Sequence, residues 1–258
     1  MSFSYEVKEE LARILPPKCC QKAEILSFIR MAGSLRITGG QKGAVLQIQT
    51  EHASTAKKIY TLLKKLTNSQ IEISIKENSF LKENRLYIVS SKMDEIKLLL
   101  KELGLITKDE KSFNFEGGTN NSVIAKRCCK RAYLRGAFLG SGSISDPKGS
   151  YHMEFVTTSK GQAEVISDLI KTFGLNCGIM ERKNKYMVYL KDGDNISDLL
   201  AIMGAHNALL KFEDIRVVKE VRNSVNRIVN CETANLNKII DASVRQIESI
   251  KFLKQKKV

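Results

Sequence analysis

The chain has 258 residues, 43% hydrophobic and 27% charged, with only three prolines, so it can bury a core and is neither disordered nor collagen-like. No apolar run approaches the ~18 residues of a membrane helix, and residues 1–10 are charged and lack a signal-peptide core, so the expected location is the cytoplasm, without membrane partners. Lys and Arg exceed Asp and Glu by +5, +4 and +5 over residues 1–124, 125–205 and 206–258, an even spread that suits a long polyanion better than one small anionic substrate.

Apolar residues at helical spacing predict a helix over 20–33, closed by Gly33. Leu35-Arg36-Ile37-Thr38 alternates, Gly39-Gly40-Gln41-Lys42-Gly43 turns, and Leu46-Gln47-Ile48-Gln49 alternates again, which predicts a hairpin. A helix follows over 53–66, then strands over 71–76 and 85–89 joined by a charged loop, and a helix over 93–103. Past a linker at 111–126 the order repeats, with helices at 127–140, 160–173 and 195–203 and strands near 150–156, 176–181 and 186–191. Residues 206–258 read as helices, interrupted at Cys231-Glu232-Thr233-Ala234-Asn235, with the stretch 207–229 expected to pack on the second copy.

The two halves are copies of one unit. Aligning Cys19-Cys20 with Cys128-Cys129 also superposes Ala23 on Ala132, Ser34 on Ser143 and Gly33 on Gly142. The match continues at smaller offsets, as loop deletions produce: Thr50, Ala56, Ile59 and Leu62 meet Thr157, Ala163, Ile166 and Leu169. The expected fold is therefore α+β: two αββαββα units related by a pseudo-twofold, followed by C-terminal helices. Domain boundaries are expected at 1–110, 111–126, 127–205 and 206–258. The six cysteines include no C-x-x-C pair and read as reduced thiols rather than zinc ligands, so no metal and no cofactor is expected.

The repeated helix carries a resemblance. Leu134-Arg135-Gly136-Ala137-Phe138-Leu139-Gly140-Ser141-Gly142 is similar to the nine-residue LAGLIDADG motif of homing endonucleases. In that family two motif helices pack at the pseudo-twofold and each delivers an acid to metal-dependent phosphodiester cleavage. Here Ala32 and Ser141 occupy the acid positions, and neither can hold Mg²⁺ as a carboxylate does. The resemblance thus implies a scaffold without catalytic residues and no enzyme activity; Glu24 and Asp146 are read as solvated surface acids. His52, His152 and His206 are read as surface or capping residues.

The whole chain resembles the WhiA family of bacterial regulators. The resemblance is carried by Arg131-Ala132-Tyr133-Leu134-Arg135-Gly136-Ala137-Phe138-Leu139 and by Asn226-Arg227-Ile228-Val229-Asn230-Cys231-Glu232-Thr233-Ala234-Asn235-Leu236. It implies a DNA-binding protein of sporulation gene control, cell division and chromosome segregation, nucleoid-associated, with double-stranded DNA and another regulatory protein as partners. Family members continue into a helix-turn-helix domain, which residues 251–258 leave no room to complete; that domain is expected to be missing and 206–258 to be a linker. Alternation places Arg36, Gln47, Gln49, Lys76, Arg85 and Tyr87 outward in the first copy, joined in the second by Arg182, Lys183 and Lys185. With the tail lysines Lys254, Lys256 and Lys257 these are the candidate DNA contacts, opposed by Glu72, Glu83, Glu154 and Glu181. An active endonuclease and a protein-interaction platform without DNA binding are the alternatives.

Overall fold

The computed structural model describes residues 2–37, 44–77, 85–106, 113 and 122–255. The 39–43 turn, Glu83, Lys256 and Lys257 lie outside the described residues. The chain divides into two bodies, Met1–Phe212 and Glu213–Val258.

The first body opens with helix α1 (Phe3–Ala12), capped by the Ser2 hydroxyl, which accepts from the Tyr5 N–H at 3.2 Å. The first copy follows as α2 (Lys18–Ala32), β1 (Gly33–Ile37), β2 (Ala44–Thr50), α3 (Ala53–Leu66), β3 (Ile71–Glu77), β4 (Arg85–Lys92) and α4 (Met93–Glu102). The second is α5 (Arg127–Ser141), β5 (Gly142–Ile144), β6 (Met153–Thr157), α6 (Lys160–Lys171), β7 (Gly178–Arg182), β8 (Lys185–Leu190) and α7 (Gly193–Met203). Both copies have the expected αββαββα order. Their antiparallel sheets run β1-β2-β4-β3 and β5-β6-β8-β7, the same topology twice.

Local chemistry sets the ends of these elements. Ser159 and Asp192 cap α6 and α7 through side-chain oxygens. Gly204, at φ 98°, closes α7 in the left-handed conformation that a Cβ disfavours. Lys183 and Asn184, at φ 51° and 59°, form the two-residue turn that reverses β7 into β8 with the twist of the sheet.

The core is built around α2 and α5. Ala23, Ile25, Leu26, Phe28 and Ile29 of α2 are all fully buried, as are Leu134, Ala137 and Phe138 of α5. Apolar residues all round a helix require that it be covered on every side. One side of each is its sheet: Phe138 meets Phe155 of β6 edge-on, ring centroids 5.9 Å apart. Another side is the other helix. A Cβ on Gly136 would lie 2.1 Å from the Ser27 hydroxyl and 2.7 Å from the Glu24 carbonyl, and one on Gly140 would lie 3.1 Å from Met31 Cβ. The two motif helices therefore lie side by side, and glycine at 136 is what lets their backbones approach.

Helix α8 (His206–Gln255) begins in the first body. The Glu10 carboxylate accepts from the Asn207 and Ala208 N–H groups at 2.8 and 2.9 Å, supplying the anion that a helix N-terminus favours. Ala208 and Phe212 are the buried residues of α8, with Phe212 against Phe3 and Tyr151. Residues 213–255, in the second body, are one uninterrupted helix: 231–235 stays helical, contrary to expectation, and Val217, Val221, Val225 and Ile228 are exposed. Asparagine and threonine in 231–235 lower helix propensity without breaking the backbone ladder.

Candidate nucleic-acid interface

Each sheet has one face on the helices and one open face, and pairing register decides which residues share a face. In the first copy Leu46 and Ile48 point into the core. The opposite parity of β2 carries Val45, Gln47 and Gln49. Register adds Ser34 and Arg36 from β1, Ser90, Lys92 and Ile88 from β4, and Glu72, Ser74 and Lys76 from β3. Arg36, Gln49, Lys76 and Lys92 are exposed there, and Gln47 is half-buried. Four of the six expected contacts of this copy thus share the open face.

Arg85 and Tyr87 do not. Tyr87 pairs with Thr50 and Ile75, and Arg85 with Glu77, which places both on the helix-covered parity, where Tyr87 packs against the core. Ile88 and Val89 are adjacent apolar residues and both are buried, so alternation alone allows two equal phases for β4. Lys92 joins the face because β4 runs on to Lys92, past the strand end expected at Val89.

In the second copy Arg182 and Lys185 are paired with one another on the open face, and Lys183 sits in the turn between them. The same face carries Ser143, Glu154, Tyr189 and Met187. Glu154 accepts from the Ser143 hydroxyl at 3.0 Å and lies 3.1 Å from His152 Nε2, so two polar neighbours hold this acid. His152 stacks on Tyr189, and Lys191 Nζ sits 5.0 Å from the Tyr189 ring centre. Glu181 pairs with Tyr186 on the other parity and so leaves the open face. Lys254 is exposed on α8. His52 occupies the N-cap position of α3 with its ring against Tyr5; burial and Lys8 push its imidazole below the usual range.

Ala32 and Ser141 are the last residues of α2 and α5, each followed by the glycine that turns the chain into its sheet. The Ser141 hydroxyl reaches back to the Ala137 carbonyl at 3.5 Å. A homing endonuclease would present a carboxylate at each of these two positions; this chain presents a methyl and a hydroxyl.

Glu24 is a correction. It is fully buried, not a surface acid, and one carboxylate serves two cations. Its Oε1 lies 2.6 Å from Lys58 Nζ of α3 and 2.9 Å from Arg135 Nε of α5, while Oε2 accepts from Arg135 Nη2 at 3.3 Å. Arg135 Nη1 also donates to the Met203 carbonyl at 3.1 Å and Lys58 to that of Leu11 at 2.8 Å. This is a structural triad tying the copies together, and it has no free oxygen for a metal.

The cysteines converge as well, although their sequence spacing gives no sign of a shared site. The Sγ atoms of Cys19, Cys20, Cys128 and Cys129 all lie within 4.8 Å of one another, because α2 and α5 bring their first turns together.

The comparisons with known proteins agree with this architecture. Residues 18–106 match the WhiA N-terminal LAGLIDADG-like domain and residues 130–222 the WhiA LAGLIDADG-like domain. Residues 225–258 match the WhiA C-terminal HTH domain. That match overturns the expectation of a missing helix-turn-helix: of the residues read as a linker, 225–258 belong to that domain, with the exposed apolar residues of α8 that lie there, while 206–222 fall within the second LAGLIDADG-like match. The chain is 48% identical over 256 residues to a probable cell division protein WhiA of Alkaliphilus metalliredigens, covering 98% of this chain and 80% of the relative. It is 44% identical over 257 residues to that of Bacillus subtilis, covering 99% and 79%. Among solved structures, full-length DUF199/WhiA from Thermatoga maritima superposes with a TM-score of 0.69 at 22% identity, covering 99% of this chain and 80% of that one. I-DmoI in complex with DNA and Mn shares the fold at a TM-score of 0.52 and 12% identity, covering 72% and 98%. With two LAGLIDADG-like copies, a helix-turn-helix match and relatives at this identity, the chain belongs to the WhiA family.

Proposed function

We propose that this chain is a non-enzymatic, DNA-binding regulator of cell division whose body is an endonuclease scaffold without its catalytic acids. The observation that carries the reading is the pair of motif helices that keep their close packing while ending in Ala32 and Ser141. Metal-assisted phosphodiester hydrolysis needs carboxylates to fix the ion beside the scissile bond, and the nearest acid on those helices, Glu24, is consumed by Lys58 and Arg135. DNA is held by two surfaces: the helix-turn-helix segment from residue 225, and the open sheet face with Arg36, Gln47, Gln49, Lys76 and Lys92 in the first copy and Arg182, Lys183 and Lys185 in the second. Arginine and glutamine suit base edges, and lysine suits phosphate. Lys254, Lys256 and Lys257 add phosphate attraction. The protein works in the cytoplasm at the nucleoid, and its regulatory role extends to sporulation genes and chromosome segregation through a second regulatory protein.

The test is a pair of assays on the purified chain. A plasmid library of long randomised sites should stay uncut with Mg²⁺ or Mn²⁺, and a 30-base-pair duplex should bind in fluorescence anisotropy with an affinity that falls as salt rises. Chelator-sensitive cleavage abolished by mutating one acid would establish an endonuclease instead. Absence of binding at ~50 mM salt would leave only an interaction platform, since non-specific complexes of ~10⁻⁴–10⁻⁶ M at physiological salt tighten at lower salt.

A further inference from the structure

The four converging cysteines are not used by anything described so far. Cys19 and Cys20 lie in the first turn of α2, and Cys128 and Cys129 in the first turn of α5. Within each pair the Sγ atoms are 3.8 and 4.0 Å apart, and all four lie within 4.8 Å of one another. A zinc ion bound at ~2.3 Å by four thiolates places its sulfurs ~3.8 Å apart along every edge of the tetrahedron. The two within-pair spacings match such an edge and the remaining ones stay within 4.8 Å, so small side-chain adjustments close a tetrathiolate shell, whereas a disulfide at ~2.05 Å needs the sulfurs of a pair at about half their separation.

Charge agrees with geometry. Four thiolates around a divalent ion carry a net charge of −2. Neither helix has an acid in its first turn, and neither N-cap, Pro17 or Lys126, supplies a side-chain acceptor. Two helix N-termini thus present free N–H groups and partial positive charge to the cluster. Lys18, Lys126, Arg127 and Lys130 flank the pairs in sequence. Cys19 and Cys128 are exposed while Cys20 and Cys129 are buried, which gives an ion an entry path and a protected seat.

We propose that Cys19, Cys20, Cys128 and Cys129 form a tetrahedral site for a divalent ion of the zinc class, tying the first turns of the two motif helices together. Loading it from four thiols forms four metal–sulfur bonds and releases four protons, with no oxidant or reductant involved. The site spans the two copies, so each contributes half of the ligands.

The test uses the full chain, reduced and stripped with chelator, titrated with Co²⁺ and then Zn²⁺. One Co²⁺ per chain should bind with intense thiolate charge-transfer and tetrahedral d–d absorption, accompanied by proton release, and stoichiometric Zn²⁺ should bleach the spectrum. The Cys19→Ser/Cys128→Ser variant should lose the bands, and the Cys177→Ser/Cys231→Ser variant should keep them. The wild-type spectrum decides even where a variant fails to fold. A reduced wild-type chain with all six thiols titratable but only the weak spectrum of octahedral Co²⁺ would overturn the proposal. So would a disulfide among the four cysteines in protein isolated under native conditions, detected as a two-dalton mass loss in a non-reduced digest.

Discussion

Replacing Glu24 by glutamine removes one negative charge from a site that already holds two cations. The side chains of Glu24 and Lys58 are fully inaccessible and that of Arg135 is 8% exposed, so water cannot compensate. Breaking a buried ion pair by deleting one partner costs about 3–5 kcal/mol. In a chain of this size about 1 kcal/mol moves Tm by about 2–4 °C, so the expected loss is about 6–20 °C. The pH dependence follows from Lys58, whose ammonium burial pulls down from 10.5 to about 8 against the opposing pull of Glu24. With its folded pKa below its unfolded one, the unfolded chain binds more protons between about pH 8 and 10.5, and the wild type gains stability as pH rises through that window. The neutral amide of Glu24→Gln no longer holds the Lys58 proton, so the variant starts this gain at lower pH. The wild-type advantage is therefore full where both proteins keep Lys58 charged, narrows towards pH 8 and is constant above it. Melting curves by circular dichroism at intervals from about pH 6 to 9.5 read this directly. A loss under about 2 °C, or a gap that widens with pH, would refute the argument. Lys58→Met added to Glu24→Gln should restore part of the loss, because one uncompensated cation then remains instead of two.

Gly136→Ala should destabilise by about 1–3 kcal/mol in urea unfolding despite the better helix propensity of alanine, because its Cβ would meet a backbone carbonyl that cannot swing away. Phe212→Ala should cost about 3–5 kcal/mol in the same measurement, since the ring is 1% exposed between Phe3 and Tyr151. Ala substitutions of Arg36, Lys76 and Lys92 should flatten the slope of log affinity against log salt by about 0.9 for each phosphate that is no longer neutralised, whereas Arg85→Ala should leave the slope unchanged.

The repeat makes most of the fold legible. Two copies with the same alternation of periods, 3.6 then 2, define helices and strands twice over, and small residues at 136 and 140 mark the helix contact. Pattern alone does not supply phase and partnership. Arg85 and Tyr87 read as outward because Ile88 and Val89 are equally apolar; only the pairing of Tyr87 with Thr50 settles the parity of β4. Glu24 reads as a surface acid because its partners come from α3 and α5, far along the chain. The cysteines are more instructive. Spacing along the chain hides them, yet their equal positions in the two copies and the contact between the two helices are both legible, and the structure adds that the helices meet at their first turns, which brings the four thiols together. The C-terminal helix misleads for a different reason: a helix-turn-helix is expected only past residue 251, whereas residues 225–258 already match that domain.

The axis between α2 and α5 has a direction. Gly136 sits against Ser27, its own counterpart in the other copy, and Arg135 meets Glu24, whereas the counterparts of those two charged residues are Leu26 and Tyr133. Two first copies placed face to face would crowd serine on serine and leave both Glu24 side chains without Arg135. Two second copies would bury a pair of guanidinium groups with no acid between them. Mismatched charge and volume at a buried contact exclude a partner as strongly as complementary contacts select one. Split between the copies and expressed as two fragments, this protein would reassemble as a heterodimer only, and between neighbouring intact chains the same polarity disfavours pairing of a first copy with a first copy or a second with a second.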